Sequence, residues 1–151
     1  IWPADNSGLV WQNSTANGYM DWQDAIDYCE GLTLDSKSDW RLPDIGELRS
    51  LIRGCAGSEW GSATCELEEG GCLESFCDDL PLCEHCAPQS GPSNGCYWAA
   101  DVAGDCGQYW SSSLVQDSSI NVWKVSFDSA KPKAGSKLDE MIAPRCCRGS
   151  L

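Results

Sequence analysis

The stretch SDWRLPDIGELRSLIRG, residues 38–54, decides how the rest of the chain is read. After Leu42 and Pro43, Asp44 is placed to cap a helix and Glu47, three residues on, to complete a capping box. Ile45, Leu48, Leu51 and Ile52 then fall on one apolar face, and Gly54 ends the element. Upstream, Asp21 is a second N-cap, with Asp24 as a weaker box partner. Trp22, Ala25, Ile26 and Cys29 share a face, and Gly31 is a stop. This predicts a helix near 22–30 with Cys29 pointing inward. Residues 8–12 (GLVWQ) and 109–113 (YWSSS) read as extended. Trp123, Val125 and Phe127 form the buried side of a strand, KPKAGSK at 131–137 reads as a polar loop, and 141–148 as a closing edge strand that tolerates Pro144. Helices early and short strands late give an α+β domain.

Between these flanks, periodicity fades from Cys55 to Cys106, where eight of the eleven cysteines lie. A structureless loop of that length needs something to tie it down, and disulfides are the economical answer. The segment CELEEGGCLESFCDDLPLCEHC, residues 65–86, lacks the paired spacing of a zinc ribbon. Its acidic neighbours would raise thiol pKa values rather than lower them, and the Cys83–Cys86 pair lacks a helix to activate a redox thiol. Calcium is the one metal left open, with Glu68, Glu69, Asp78 and Asp79 as oxygen ligands in a Gly-rich setting, although no EF-hand loop is present. Solvated surface accounts for most of these carboxylates. An odd cysteine count leaves one thiol unpaired, modified or bonded to another chain. Cys146 and Cys147, adjacent on a strand, point to opposite faces and reach different partners, one of them an insertion cysteine.

The net charge of −13 is regional: residues 55–106 hold ten acidic residues and no Lys or Arg. Nucleic acid needs clustered cations and is excluded as a partner, as is electrostatic attachment to an anionic membrane. No apolar run approaches the roughly 20 residues that span a bilayer. The cysteine content points to an oxidising compartment, and so to a secreted, extracellular or cell-surface protein. The start at Ile1 fits a processed secreted protein or a trimmed chain equally well.

Several phrases stand in a familiar order: LVWQ (9–12), WQDAIDYC (22–29), SDWRLP (38–43), ELRSLI (47–52), YWSSS (109–113), WKVSF (123–127) and RCCRG (145–149). Together they resemble the DUF1566 family, which includes the C-terminal domain of the Legionella collagen-like adhesin. That resemblance implies a C-type-lectin-like fold with two helices, short antiparallel strands and a long disulfide-stapled insertion at 55–106, all in one domain over 1–151. WRLP (40–43) also resembles the RLP phrase of formylglycine-generating enzymes, which share that broad fold. The resemblance further implies a Cys29–Cys146 bridge, a structural Arg41, and Trp40 and Trp110 in the core. The family commonly has a hydrophobic residue where Cys147 stands, so Cys147 reads as an added bridge to an insertion cysteine.

The function expected is a non-catalytic recognition or adhesion module, binding a glycan or an extracellular protein through the insertion. Trp60, Tyr97 or Trp98 would stack on a sugar, and Asn94, Asp101 or Asp105 would take its hydroxyls. No cofactor is required. The calcium-lectin signatures are absent, and the negative field opposes the anionic glycans associated with the adhesin. A lone His85 brings no nucleophile constellation with it, and formylglycine-type chemistry would need cysteines that the Cys29–Cys146 bridge consumes. The alternative is a structural subunit of a fibre or surface assembly, with homo-oligomerisation left open. Asn13-Ser14-Thr15 has the form of a glycosylation sequon and reads as a chance match in a bacterial protein.

Overall fold

A computed structural model describes residues 2–3 (backbone only), 8–13, 18–79 and 81–151. Ser14 and Thr15 of the sequon lie outside the described residues. Element order is β1 (Trp2–Pro3), β2 (Val10–Trp11), α1 (Trp22–Glu30), α2 (Ile45–Arg49), β3 (Gln108–Leu114), β4 (Asn121–Ser126), β5 (Lys131–Ser136) and β6 (Cys147–Arg148). A 3-10 turn at Ser75–Asp78 lies within the insertion. Two antiparallel sheets result, β1-β2-β6 and β3-β4-β5.

Both helices begin where the caps predict. The Asp21 carboxylate accepts from the Asp24 N–H. At α2 the Asp44 carboxylate accepts from Glu47 N while Glu47 Oε2 accepts from Asp44 N, the full reciprocal box. Helix α2 is shorter than its apolar stripe. After Arg49 the chain tightens into i to i+3 bonds, with Leu51 N donating to Leu48 O and Ile52 N to Arg49 O. Leu51 and Ile52 are buried nonetheless. Gly54 ends the turn at φ +87°, and a Cβ there would also meet Pro92.

The β3-β4-β5 sheet is the middle layer, since successive strand residues face opposite ways. Trp110 and Val122 pack with Ala25, Cys29, Trp40, Leu42, Ile142 and Cys146 on the α1 side. Tyr109, Trp123, Val125 and Phe127 pack with α2 and the insertion's Leu67, Leu73, Tyr97 and Trp98 on the other. The Cys29–Cys146 disulfide fastens α1 to the end of the chain.

Two expectations are corrected. Residues 131–136 form a strand, not a loop, pairing with β4 from Asn121↔Ser136 to Ser126↔Lys131. Its lysines and glycine hide the pattern, because its buried positions are Pro132 and Gly135 rather than large apolar residues. The closing segment is not one edge strand either. Ile142 bridges Met20, Ala143 bridges Tyr109, and Cys147 is flanked by Trp11 on one side and Arg41 on the other. Pro144 lies between these short pairings.

Candidate functional site

The insertion is organised from α2. Arg49 is fully buried, and its guanidinium donates to four backbone carbonyls: Ser58 (3.0 Å), Glu59 (2.8 Å), Cys65 (3.0 Å) and Leu67 (2.6 Å). No carboxylate takes part in these bonds. Burial pushes its pKa down to about 10, so the guanidinium still carries its charge at neutral pH. Cys55–Cys86, Cys65–Cys83, Cys72–Cys77 and Cys96–Cys106 close the insertion on itself. Besides its apolar packing, hydrogen bonds tie it to the sheet and to the turn after β4. Tyr97 N donates to Phe127 O, Cys86 N to Ser129 O, Gln89 N to Asp128 O, and the Trp123 indole to Leu73 O.

A second buried arginine, Arg145, holds the opposite end. It donates to the carbonyls of Gln12, Asn13 and Ala103 and lies against the rings of Trp98 (5.1 Å) and Tyr109 (5.0 Å). Trp98, Tyr109 and Phe127 form one aromatic cluster beneath it. Tyr109 of this cluster also lines a groove at the surface.

On that surface two adjoining cavities share Tyr19, Gly107 and Gln108. One, of about 130 Å³, is completed by Gly18, Asp105, Tyr109 and Ala143. The other, of about 240 Å³, is completed by Ser126, Asp128, Met141 and Ile142. The groove is built by pairing: Met20 and Ile142 exchange backbone hydrogen bonds, and Trp110 N donates to Ala143 O, which lays 141–143 between residue 20 and β3. Tyr19 is 63% exposed and Met141 62%. Gln108 Oε1 is buried without a hydrogen-bond partner. Asp128 accepts from the Ser126 hydroxyl at 2.6 Å, and Asp105 is exposed. An exposed ring beside two carboxylates can stack on an apolar ring face while the carboxylates take hydrogen bonds from polar groups around it.

A family model described as the Lcl C-terminal domain matches residues 4–148. The chain belongs to the Lcl C-terminal domain family. No curated protein matches it. The matched span takes in both flanks and the cysteine-rich segment between them.

The Lcl domain scatters the residues nominated from sequence. Tyr97 and Trp98 are 3% and 1% exposed, so neither can stack on a ligand; both fill the core instead. Trp60 is 47% exposed, but it stands near Gly46 of α2 and is not part of the groove. Asn94 is an exposed turn residue at φ +52°, and Asp101 is also exposed. Asp105 alone of the six lines the groove.

The four nominated calcium ligands do not form one group. Glu69 accepts from the Ser113 hydroxyl at 2.7 Å, beside Asp44. Glu68 lies near Arg49 and Gly71. Asp78 and Asp79 line a separate open depression with His85 and Lys131. There burial pushes the Asp78 pKa up while Lys131 opposes the shift. Among the described residues, Cys72, Glu74 and Cys77 form the one metal-ligand-like group, and its two sulfurs are bonded to each other.

Cys147 is corrected too: it is a buried free thiol, not a bridge to the insertion. Its position between Trp11 and Arg41 turns the sulfur toward Glu47 Oε2, 4.0 Å away, and the eight insertion cysteines are paired with one another. Burial pushes the thiol up to about 12. Arg41 is structural as expected, forming a bidentate pair with Glu47 (2.7 Å to each oxygen) and donating to Gly149 O. The groove residues Tyr19, Gln108, Asp128 and Met141 gave no sequence signal, for they come from four separated segments.

Proposed function

We propose that this Lcl domain is a non-catalytic recognition module at a cell surface or outside the cell, binding a glycan through the Tyr19–Gln108 groove. The observation that carries this reading is the exposed Tyr19 side chain lining one groove together with the carboxylates of Asp105 and Asp128. An aromatic face suits a pyranose ring, and the exposed Asp105 carboxylate can accept from its hydroxyls. Family membership favours a surface-associated role, and five disulfides favour an oxidising compartment. The reading includes a C-type-lectin-like fold, supported by the bridge from the first helix to the chain's end. It needs no cofactor, since Arg49 supplies the positive charge that gathers the insertion carbonyls. A glycan array probed with and without calcium tests it. Tyr19→Ala should abolish the retained signals and chelation should leave them; unchanged signals in Tyr19→Ala would refute the groove.

Two observations weigh against the alternative, a disulfide-linked structural subunit. The unpaired thiol is buried, and the β5 edge is blunted. Pro132 has no N–H to offer, and the Ser136 N–H is taken by Glu140. Equal mobility of the protein on reducing and non-reducing gels, apart from the compaction that internal bridges give, is the expected result.

A further inference from the structure

We propose that Met141 is an oxidant-responsive modification site: its thioether takes one oxygen atom from a peroxide, and the resulting sulfoxide weakens binding at the groove. The inference rests on the groove reading above and adds a control to it. Sulfur is distributed unevenly over the fold. The chain has eleven cysteines and two methionines. Ten cysteine sulfurs are already oxidised in five disulfides. The eleventh, Cys147, is a buried thiol that burial pushes up to about 12, so it offers neither a thiolate nor a path to solvent at neutral pH. Met20 is partly buried and packs against the cluster of Ala25, Trp40 and Trp110. Met141 is 62% exposed and lines the groove. It is the one unoxidised sulfur of the chain that stands open to solvent.

The backbone on either side of Met141 is pinned. Glu140 accepts from Lys124 Nζ and from Ser136 N, and Ile142 exchanges backbone hydrogen bonds with Met20. Ile142 turns into the core at 5% exposure, which leaves its neighbour's side chain to face outward. Tyr19 and Met141 are the two large apolar side chains exposed along the lining, so they supply the apolar surface that a sugar ring would cover. Oxidation is a two-electron step. A sulfur lone pair attacks one oxygen of hydrogen peroxide, and the O–O bond breaks as the S–O bond forms. The displaced hydroxide takes the proton left on the transferred oxygen and departs as water. Sulfur is oxidised and peroxide is reduced. A polar, chiral side chain then stands where a flexible apolar one stood. Covering it with a sugar's C–H face costs the hydration of the sulfoxide oxygen, a cost the thioether does not carry.

Peptide mapping of the whole folded chain after brief exposure to hydrogen peroxide tests the site, and the glycan array repeated on the oxidised protein tests its effect. Met141 should gain oxygen about tenfold faster than Met20, and the two should react alike in the chain unfolded by urea. Array signals should fall about tenfold once Met141 is converted, and a methionine sulfoxide reductase supplied with a dithiol should restore them. In Met141→Leu, whose side chain stays apolar and cannot take oxygen, the signals before and after peroxide should be equal. Equal oxidation rates at the two methionines of the folded chain would overturn the site. Unchanged signals from a chain fully oxidised at Met141, or the same fall persisting in Met141→Leu, would overturn the proposal while leaving the groove, provided Tyr19→Ala still abolishes the signals. Retained signals in Tyr19→Ala would overturn the groove reading and, with it, the effect assigned to Met141, and a silent array would do the same.

Discussion

Replacing Arg49 by methionine should loosen the insertion while leaving the helices and the β3-β4-β5 sheet assembled. Arg49 is 0% exposed, and its four hydrogen bonds, 2.6–3.0 Å long, end on backbone carbonyls at residues 58–67. A hydrogen bond from a charged donor contributes about 1.5–3 kcal/mol net, and a buried carbonyl left unmet costs about 1–3 kcal/mol. Against this, methionine restores much of the apolar volume, and the variant is spared the desolvation of a buried cation, itself several kcal/mol. The loop can also open so that its carbonyls find water, which limits the loss. Balancing these, the expected destabilisation is about 3 kcal/mol. Urea unfolding of the oxidised protein measures it, and hydrogen exchange over 55–69 locates it. Arg49→Lys should fall between, since one ammonium cannot span four carbonyls that a planar fork reaches. A loss below about 1 kcal/mol with unchanged exchange protection would refute the view that this guanidinium holds the insertion.

Chelation should leave the wild-type unfolding midpoint and the exchange protection of 55–69 unchanged, because a side-chain cation already occupies that centre. The native protein should show no reactive thiol, and one per chain should appear on denaturation without reductant, from Cys147. Cys147 also sets a pH dependence. Its thiol is raised from 9.0 in the unfolded chain to about 12 in the fold, so its contribution is complete below pH 9 and is lost as the pH climbs toward 12. The slope approaches about 1.4 kcal/mol per pH unit for that one group, and Cys147→Ala should remove that part of the alkaline slope in urea titrations at stepped pH. Replacing both Cys29 and Cys146 by alanine should cost about 2–5 kcal/mol in the same assay.

What the sequence disclosed was the local grammar. Asp21 and Asp44 announce helix starts because a cap acts within three residues, and Cys29 could be placed inward because α1 has one apolar face. Strand β5 escaped because its buried positions are a proline and a glycine, and β-propensity does not register a strand whose partner supplies the bulk. The thiol of Cys147 escaped for a different reason. Counting cysteines suggests pairing, but pairing is decided by where a sulfur points, and this one points at Glu47 beneath the Arg41 pair.

The groove was the least legible feature, and its construction explains why. Tyr19, Gln108, Asp128 and Met141 are brought together by the Met20–Ile142 pairing and the Gln108↔Ser126 register, neither of which leaves a mark in composition. The acidic, cysteine-rich segment drew attention because its residues are adjacent in the chain, yet Tyr97 and Trp98 turn inward and its bridges close on themselves. Its conspicuous chemistry is spent on holding shape: four disulfides and one buried guanidinium fix a loop region that otherwise has little core of its own. That rigidity reaches the groove through one residue in particular. Asp105 precedes Cys106, whose bridge to Cys96 holds the segment beside the Tyr97–Trp98 core, and its carbonyl accepts from the Tyr109 hydroxyl at 2.7 Å. The insertion therefore acts at the groove by positioning one carboxylate. Breaking the Cys96–Cys106 bridge should weaken ligand binding through Asp105 even where global stability is little changed.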